Sequence, residues 1–187
     1  MSEEHGFGTT IWQVQRWDAD QVKLAQDKLQ LAKPEPEDFA RLGLDPYSVT
    51  ATKGNLITNA GYTRLGNLFT GQGATQAFDA AHCRIGAGNG STAVTYADTV
   101  LSAAAGSTNR WFQLVSAVFT IGATRTWTVA ATFGTADGNF TWQEFGIDQG
   151  TASGNTEVAI LFNHALSSQG TKASGQIWTA TATITFT

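Results

Sequence analysis

Two stretches of this chain alternate strictly between apolar side chains and threonine. Over residues 125–133 (RTWTVAATF), Trp127, Val129, Ala131 and Phe133 fall on one side, and Thr126, Thr128, Ala130 and Thr132 on the other. Near the C-terminus the pattern recurs, with Ala180, Ala182, Ile184 and Phe186 opposed by Thr179, Thr181, Thr183 and Thr185. A period of two marks a β-strand with one buried face, and threonine suits the other because its branched Cβ fits a strand while its hydroxyl wets it. Further strands are predicted over 82–86, 111–121, 139–147 and 157–162. Between Phe140/Trp142 and Phe145/Ile147 the alternation slips by one residue, which predicts a β-bulge near Glu144. Ile57, Gly61, Leu65 and Leu68 share a helical face and predict one short helix over 58–69. Six or seven short strands separated by Gly/Ser/Asn turns predict a mainly β fold, an antiparallel β-sandwich or barrel.

The first 53 residues follow another pattern. Residues 9–17 (TTIWQVQRW) favour β structure, but Ile11, Trp12, Val14 and Trp17 are too irregular to make one clean face. Asp18 or Asp20 then caps a predicted helix to about Lys33, with Val22, Ala25, Leu29 and Ala32 as a narrow apolar stripe. Lys33-Pro34-Glu35-Pro36 stops it, since a residue before proline avoids helical geometry. A second short helix is expected from Asp38 to Leu42, and a strand over 47–52. With few large apolar side chains of its own, this segment reads either as an N-terminal arm, extended and helical, that packs on a partner, or as part of its own domain.

Charge sharpens the division. Residues 1–53 carry 15 of the 26 Asp, Glu, Lys and Arg side chains, whereas residues 54–187 carry 11 together with 23 threonines and 17 of the 20 glycines. The expected organisation is therefore an arm, 1–53, and a β-sandwich domain, 54–187. At 187 residues, two full domains would be a tight fit. With 42% hydrophobic residues the chain can build a core, and a net charge of −4 leaves no global footprint for nucleic acid. The lone cysteine, Cys83, excludes an intrachain disulfide framework. No apolar run is long enough for a membrane helix, and the acidic start MSEEHGFGTT has no signal-peptide layout, which points to synthesis in a cytoplasm.

Candidate chemistry is sparse. Residues 86–91 (GAGNGS) lack the third glycine of a dinucleotide fingerprint and read as a turn, with Asn89-Gly90 favouring positive φ. Lys172 lacks the glycine spacing of a phosphate loop. His5, His82 and His164 do not cluster, and adjacent His82 and Cys83 would point to opposite faces of a strand, so no metal site is expected. The carboxylates of the β region are Asp79, Asp98, Asp137, Glu144, Asp148 and Glu157; Glu144 and Asp148 could approach one another around the bulge, as a glycosidase pair must. Asn89 and Asn139 lie in glycosylation-type triplets. Trp111 and Trp178 are candidate exposed aromatics for a carbohydrate, with Trp178 read as out of phase, whereas Trp127 reads as core. No nucleophile–base–orienter set emerges, so the chain reads as a non-enzyme with no catalytic residues and no cofactor.

The order of GNLITNAGYTRLGNLFTG (54–71), RIGAGNGST (84–92), TVL (99–101), FTWQEFGID (140–148), AILFNHAL (159–166) and GTKASGQIWTATATITF (170–186) resembles bacteriophage virion proteins. It is similar to small phage structural proteins and to the attachment domain that opens tail-collar fibre proteins. Those share a Gly-x-Gly-x-Gly turn, a segment around Phe-x-Glu-Phe/Ile-Gly and a late lysine before the last strand. The resemblance implies a virion location and a capsid decoration, or cement, role: a homo-oligomer such as a trimer on the major capsid protein, its arm lying across neighbouring subunits. A minor tail, baseplate or fibre-attachment protein and a carbohydrate-binding host-adhesion module are the alternatives. Trp12, Trp17, Val22, Leu29, Phe39 and Leu42 are the expected partner-binding residues, because aromatic and aliphatic anchors dominate interface energy.

Overall fold

The two threonine-alternating segments lie side by side in one sheet. The computed structural model describes residues 8–54, 56–72, 77–121, 125–157 and 161–186; His5 lies outside them. The elements are β1 (Gly8–Trp17), α1 (Ala19–Leu29), α2 (Pro36–Arg41), β2 (Ser48–Lys53), β3 (Leu56–Ile57), α3 (Asn59–Thr70), β4 (Cys83–Gly88), β5 (Arg110–Leu114), β6 (Ala117–Ile121), β7 (Thr126–Phe133), β8 (Thr141–Gln149), β9 (Asn163–Thr171) and β10 (Ile177–Phe186). They form two antiparallel five-stranded sheets, ordered β2-β1-β10-β7-β6 and β3-β9-β8-β4-β5. The β-sandwich expectation holds. No helix among the described residues is long and apolar enough to cross a membrane.

The core lies between the sheets. From the first come Trp12 and Val14 on β1, Val129, Ala131 and Phe133 on β7, and Ala180, Ala182 and Ile184 on β10; Ile85, Ala87, Phe145, Ile147 and Ala165 come from the second. Trp12 stacks on Phe145 across the gap at 5.0 Å between ring centroids, and Trp142 meets both Phe133 and Trp178 edge-on. The alternations predicted for residues 125–133 and 180–186 are the ones observed. The bulge is also where the pattern slips, between Trp142 and Glu144.

Four expectations are corrected. Residues 8–53 do not project as an arm: β1 pairs along its whole length with β10 and also with β2. Its inward positions are Trp12, Val14 and Arg16, while Trp17 turns to the opposite face and stacks on Phe39 at 4.6 Å. The stretch 111–121 is two strands, because consecutive amides bond to different sheets: Val115 donates to the Cys83 carbonyl and Ser116 to that of Ala130. Of the strand expected over 157–162, residues 157, 161 and 162 are not strand and residues 158–160 lie outside the described residues; β9 starts at Asn163. Trp178 is not exposed: it is in phase with Ala180 and 2% accessible.

The helices start where side-chain oxygens can serve unpaired amides. The Asp18 carboxylate accepts from the Asp20 and Gln21 amides, and the Gln21 side chain accepts from the Asp18 amide in return. The helix α1 ends at Gln30, in the left-handed region at φ 55°, earlier than the expected Lys33. The second helix begins at Pro36 rather than Asp38, since proline is tolerated at a first turn. Thr58 caps α3, accepting from Gly61 and donating to the Leu161 carbonyl.

Candidate functional site

The outward side of the second sheet is buried. Glu144, Gly146 and Asp148 on β8 point away from the core, opposite Gly88, Gly86 and Arg84 on β4, and every residue from Glu144 to Gln149 is inaccessible or nearly so. Two segments cover them: residues 89–109, a long connection with no helix or strand of its own, and residues 150–157. Leu101, Phe112 and Leu161 form a small apolar cluster on this side.

Glu144 is the centre of the arrangement. The bulge aims its side chain, and its carboxylate accepts five hydrogen bonds. They come from the amides of Gly90, Ser102 and Ala103 (3.2, 2.9 and 2.7 Å), the Ser102 hydroxyl (2.8 Å) and His164 Nε2 (2.8 Å). A Cβ on Gly88 would lie 2.4 Å from Glu144 Oε1, and one on Gly90 would lie 2.5 Å from it and 2.0 Å from Ser102 Oγ. The glycine run is thus explained by space. Gly90 does not have the expected positive φ. Burial pushes the Glu144 carboxyl up, but the bonds from His164, Ser102 and Ala103 outweigh it and hold it below its ordinary range.

His164 on β9 lies between two carboxylates, with Nδ1 2.6 Å from Asp98 and Nε2 2.8 Å from Glu144. Burial pulls its pKa down; the bonds and charges of both carboxylates more than reverse this and raise it above the ordinary histidine value. Asp98 is desolvated too, yet Thr95 and His164 hold it low. The outcome is an imidazolium clamped by two anions, joining the 89–109 segment to β8 and β9. Beside it lies a cleft of about 280 Å³ lined by Thr92, Asp98, Leu101, Ser102 and His164 among others.

Two more ion pairs hold the cover. Arg84 binds Asp148 through Nε at 2.8 Å and through Nη2, and Nη1 reaches the carbonyls of Ala152 and Thr156; its guanidinium lies over the Phe112 ring. Arg110 binds Glu157 at 2.5 Å, while the other Glu157 oxygen accepts from the Leu101 amide. Burial, with Asp148 and Glu144 nearby, pushes Glu157 up to about 7 despite Arg110 and Leu101.

Comparison with family models, curated proteins and solved structures finds no match to this chain. The chemistry must therefore be read from the groups themselves. Ser102 donates to Glu144, and both His164 nitrogens are engaged by carboxylates, so the Ser102–Glu144–His164–Asp98 chain presents no imidazole nitrogen to a nucleophile. This arrangement holds segments in place. Glu144 and Asp148 are not paired across a cleft; each is committed to a different cation. His82 binds Asp79 at the surface, whereas Cys83 is buried and its thiol is pushed far up by that burial. Among the described residues no group of three or more metal-ligating side chains is found.

The expected partner-binding residues are mostly covered by their own chain. Trp12 belongs to the main core. Trp17, Val22 and Phe39 form a second small core with Ala25 and Ile177, against which Leu42 packs half-buried; Leu29 is half-exposed. The proline-delimited helices lie against the outer side of the first sheet at the Trp17–Ile177 end. Trp111 is half-buried against the main core, with its indole N–H on Gln113. Sequence reading weighed Glu144 and His164 singly and missed their union with Asp98 and Ser102. A usable signal was present: Arg84 and Glu144 stand inside predicted strands of a region that has few charges.

Proposed function

We propose that the chain is a bacteriophage virion structural protein: a decoration, or cement, protein seated on the head lattice of the major capsid protein. The observation that supports this reading is the open, uncharged face of the first sheet. By register, Thr181, Thr183 and Thr185 on β10 stand beside Ala130, Thr128 and Thr126 on β7 and beside Gln13, Ile11 and Thr9 on β1. Ile11 and Val49 are about half exposed there, at 48% and 50%. Among the described side chains charge enters at one margin, with Lys53 opposite Ile11. Covering such a face desolvates no ionised group, and its threonine hydroxyls and the Gln13 amide can exchange water for partners across the contact. It takes the place of the expected arm as the lattice contact.

The four strands β2, β1, β10 and β7, about 4.8 Å apart and open over roughly six residues, give about 400 Å². That is below the roughly 800 Å² per partner of a standard stable interface. One copy would bind weakly, and an oligomer docking on several subunits would gain through effective concentration. The residues that carry the resemblance to phage proteins are also ones this fold uses: Gly86, Gly88 and Gly90 clear space beside Glu144 and Phe112. Quantitative mass spectrometry of purified particles tests the reading. A ratio approaching one copy per capsid subunit is expected; a few dozen copies would move the protein to the tail or a vertex, and absence from the particle overturns the proposal.

A further inference from the structure

Lys172 lies outside the network around Glu144 and is 1% exposed. Its backbone amide bonds the Phe140 carbonyl, and its amine donates to the Gly134 carbonyl at 2.7 Å and to Asn139 Oδ1 at 2.8 Å. Both acceptors are neutral. A buried ammonium with neutral partners is an expensive way to fill space, since an alkyl chain would pack without the desolvation cost. The neighbouring carboxylate is Asp137, which accepts from the Gly134 amide at 3.1 Å and whose charge reaches the Lys172 amine. The Asn139 amide nitrogen is held by the Thr135 carbonyl at 2.9 Å, so the amide plane is fixed with its oxygen toward the lysine. Phe133 and Trp142 pack around Gly138 in the same turn.

We propose that Lys172 and Asn139 join in an intramolecular isopeptide bond, formed by the folded protein itself with Asp137 as proton acceptor. In the step, neutral Lys172 Nζ attacks Asn139 Cγ and the Nζ–Cγ bond forms. The displaced proton passes to Asp137 through a water, since the carboxylate is within electrostatic reach of the amine but not hydrogen-bonded to it. The Cγ–Nδ2 bond then breaks as Nδ2 takes up that proton and leaves as ammonia. One amide replaces another, nothing is oxidised or reduced, and no co-reactant is consumed. The 2.8 Å contact of Nζ with Oδ1 sets the amine beside the amide, and attack requires Nζ to leave that hydrogen bond and move over the face of Cγ, to the roughly 3–3.5 Å of a near-attack geometry. Burial also pulls Lys172 down to about 8 against the opposing effect of Asp137, so a useful fraction of the amine is neutral near pH 7.

The bond would tie two connections that run between the sheets. Asn139 lies in the 134–140 turn from β7 to β8, and Lys172 opens the turn from β9 to β10. Intact mass measurement of the purified full chain, followed by proteolytic mapping, tests this. The expected result is a species lighter than the sequence by one ammonia, with a branched peptide linking residues 139 and 172. Asn139→Ala is expected to keep its full mass, and Asp137→Asn to accumulate the branched peptide at least tenfold more slowly. Full mass in fresh and aged wild-type protein overturns the proposal. So does an ammonia loss that maps to a linear peptide, such as a succinimide at Asn89-Gly90. Equal rates in Asp137→Asn and wild type would remove Asp137 from the step.

Discussion

The outward positions of the two sheets are treated in opposite ways. On the first, β7 and β10 present threonine and alanine, and solvent reaches much of that face directly; only its Trp17–Ile177 end is covered, where Glu35 bonds the Thr132 hydroxyl. On the second, β4, β8 and β9 present Arg84, Glu144, Asp148 and His164, and long connections are folded over them until all four are buried. A hydroxyl on an open strand can be satisfied by water. A charge beneath a cover must have a partner, and each partner fixes one piece of the cover. Ionisable residues here act as positioning devices for irregular backbone, and the region that lacks them remains an open surface.

Breaking the covered side at its centre carries the largest expected effect. Glu144→Ala would leave the amides of Gly90, Ser102 and Ala103 and the imidazolium of His164 without their acceptor, costing about 3–5 kcal/mol, to be read from urea unfolding. Next comes Gly88→Ala, whose Cβ would stand 2.4 Å from Glu144 Oε1. Overpacking of this kind costs about 1–3 kcal/mol, and it should be relieved in the background of a shortened Glu144→Ala side chain, a coupling that a double-mutant cycle measures.

The pH response sharpens the contrast further. His164 is raised in the fold, so its contribution is complete below the ordinary histidine pKa and is lost as pH rises through its raised value. Glu144 and Asp98 are lowered, so theirs is complete above the ordinary carboxylate range and is lost as pH falls through their lowered values. Between these limits Glu157, raised to about 7, makes stability fall as pH climbs from the ordinary carboxylate range. In stability measured against pH, His164→Gln should remove only the further decline that sets in above the ordinary histidine value. The smallest stability effect belongs to the open side. Thr183→Lys should change unfolding free energy by within about 0.5 kcal/mol while reducing binding to capsids, read by co-sedimentation; a large loss of stability would mean that this face is not free.

Which parts were legible follows from the same physics. Strands whose one face is apolar and whose other is threonine announce themselves, and the slipped alternation before Glu144 located the bulge. The first strand was obscured because its two faces serve different cores: Trp12 and Val14 face one, and Trp17 turns to the other, where α1 and α2 bring Val22 and Phe39. Its burial depends on β10, at least 160 residues later in the chain, and no local window carries that information. The division of charge at residue 53 was real, yet it reflects the solvent-facing sides of two helices and an edge strand rather than a detached arm. In the site, His164, Asp98 and Ser102 come from separated segments, and only the tertiary fold shows that they share one carboxylate.

The position of β10 also dictates when this protein can exist. It lies between β1, built from residues 8–17, and β7, so the first sheet cannot be assembled until residues 177–186 have been made. At ribosomal speeds of about 5–20 residues per second, Trp12 and Val14 spend roughly ten to thirty seconds without the strand that buries them. Pairings of such long range also form slowly once the chain is complete. During that interval the emerging chain offers the β10-facing edge and the apolar face of β1 to any neighbour, a surface that a chaperone can occupy.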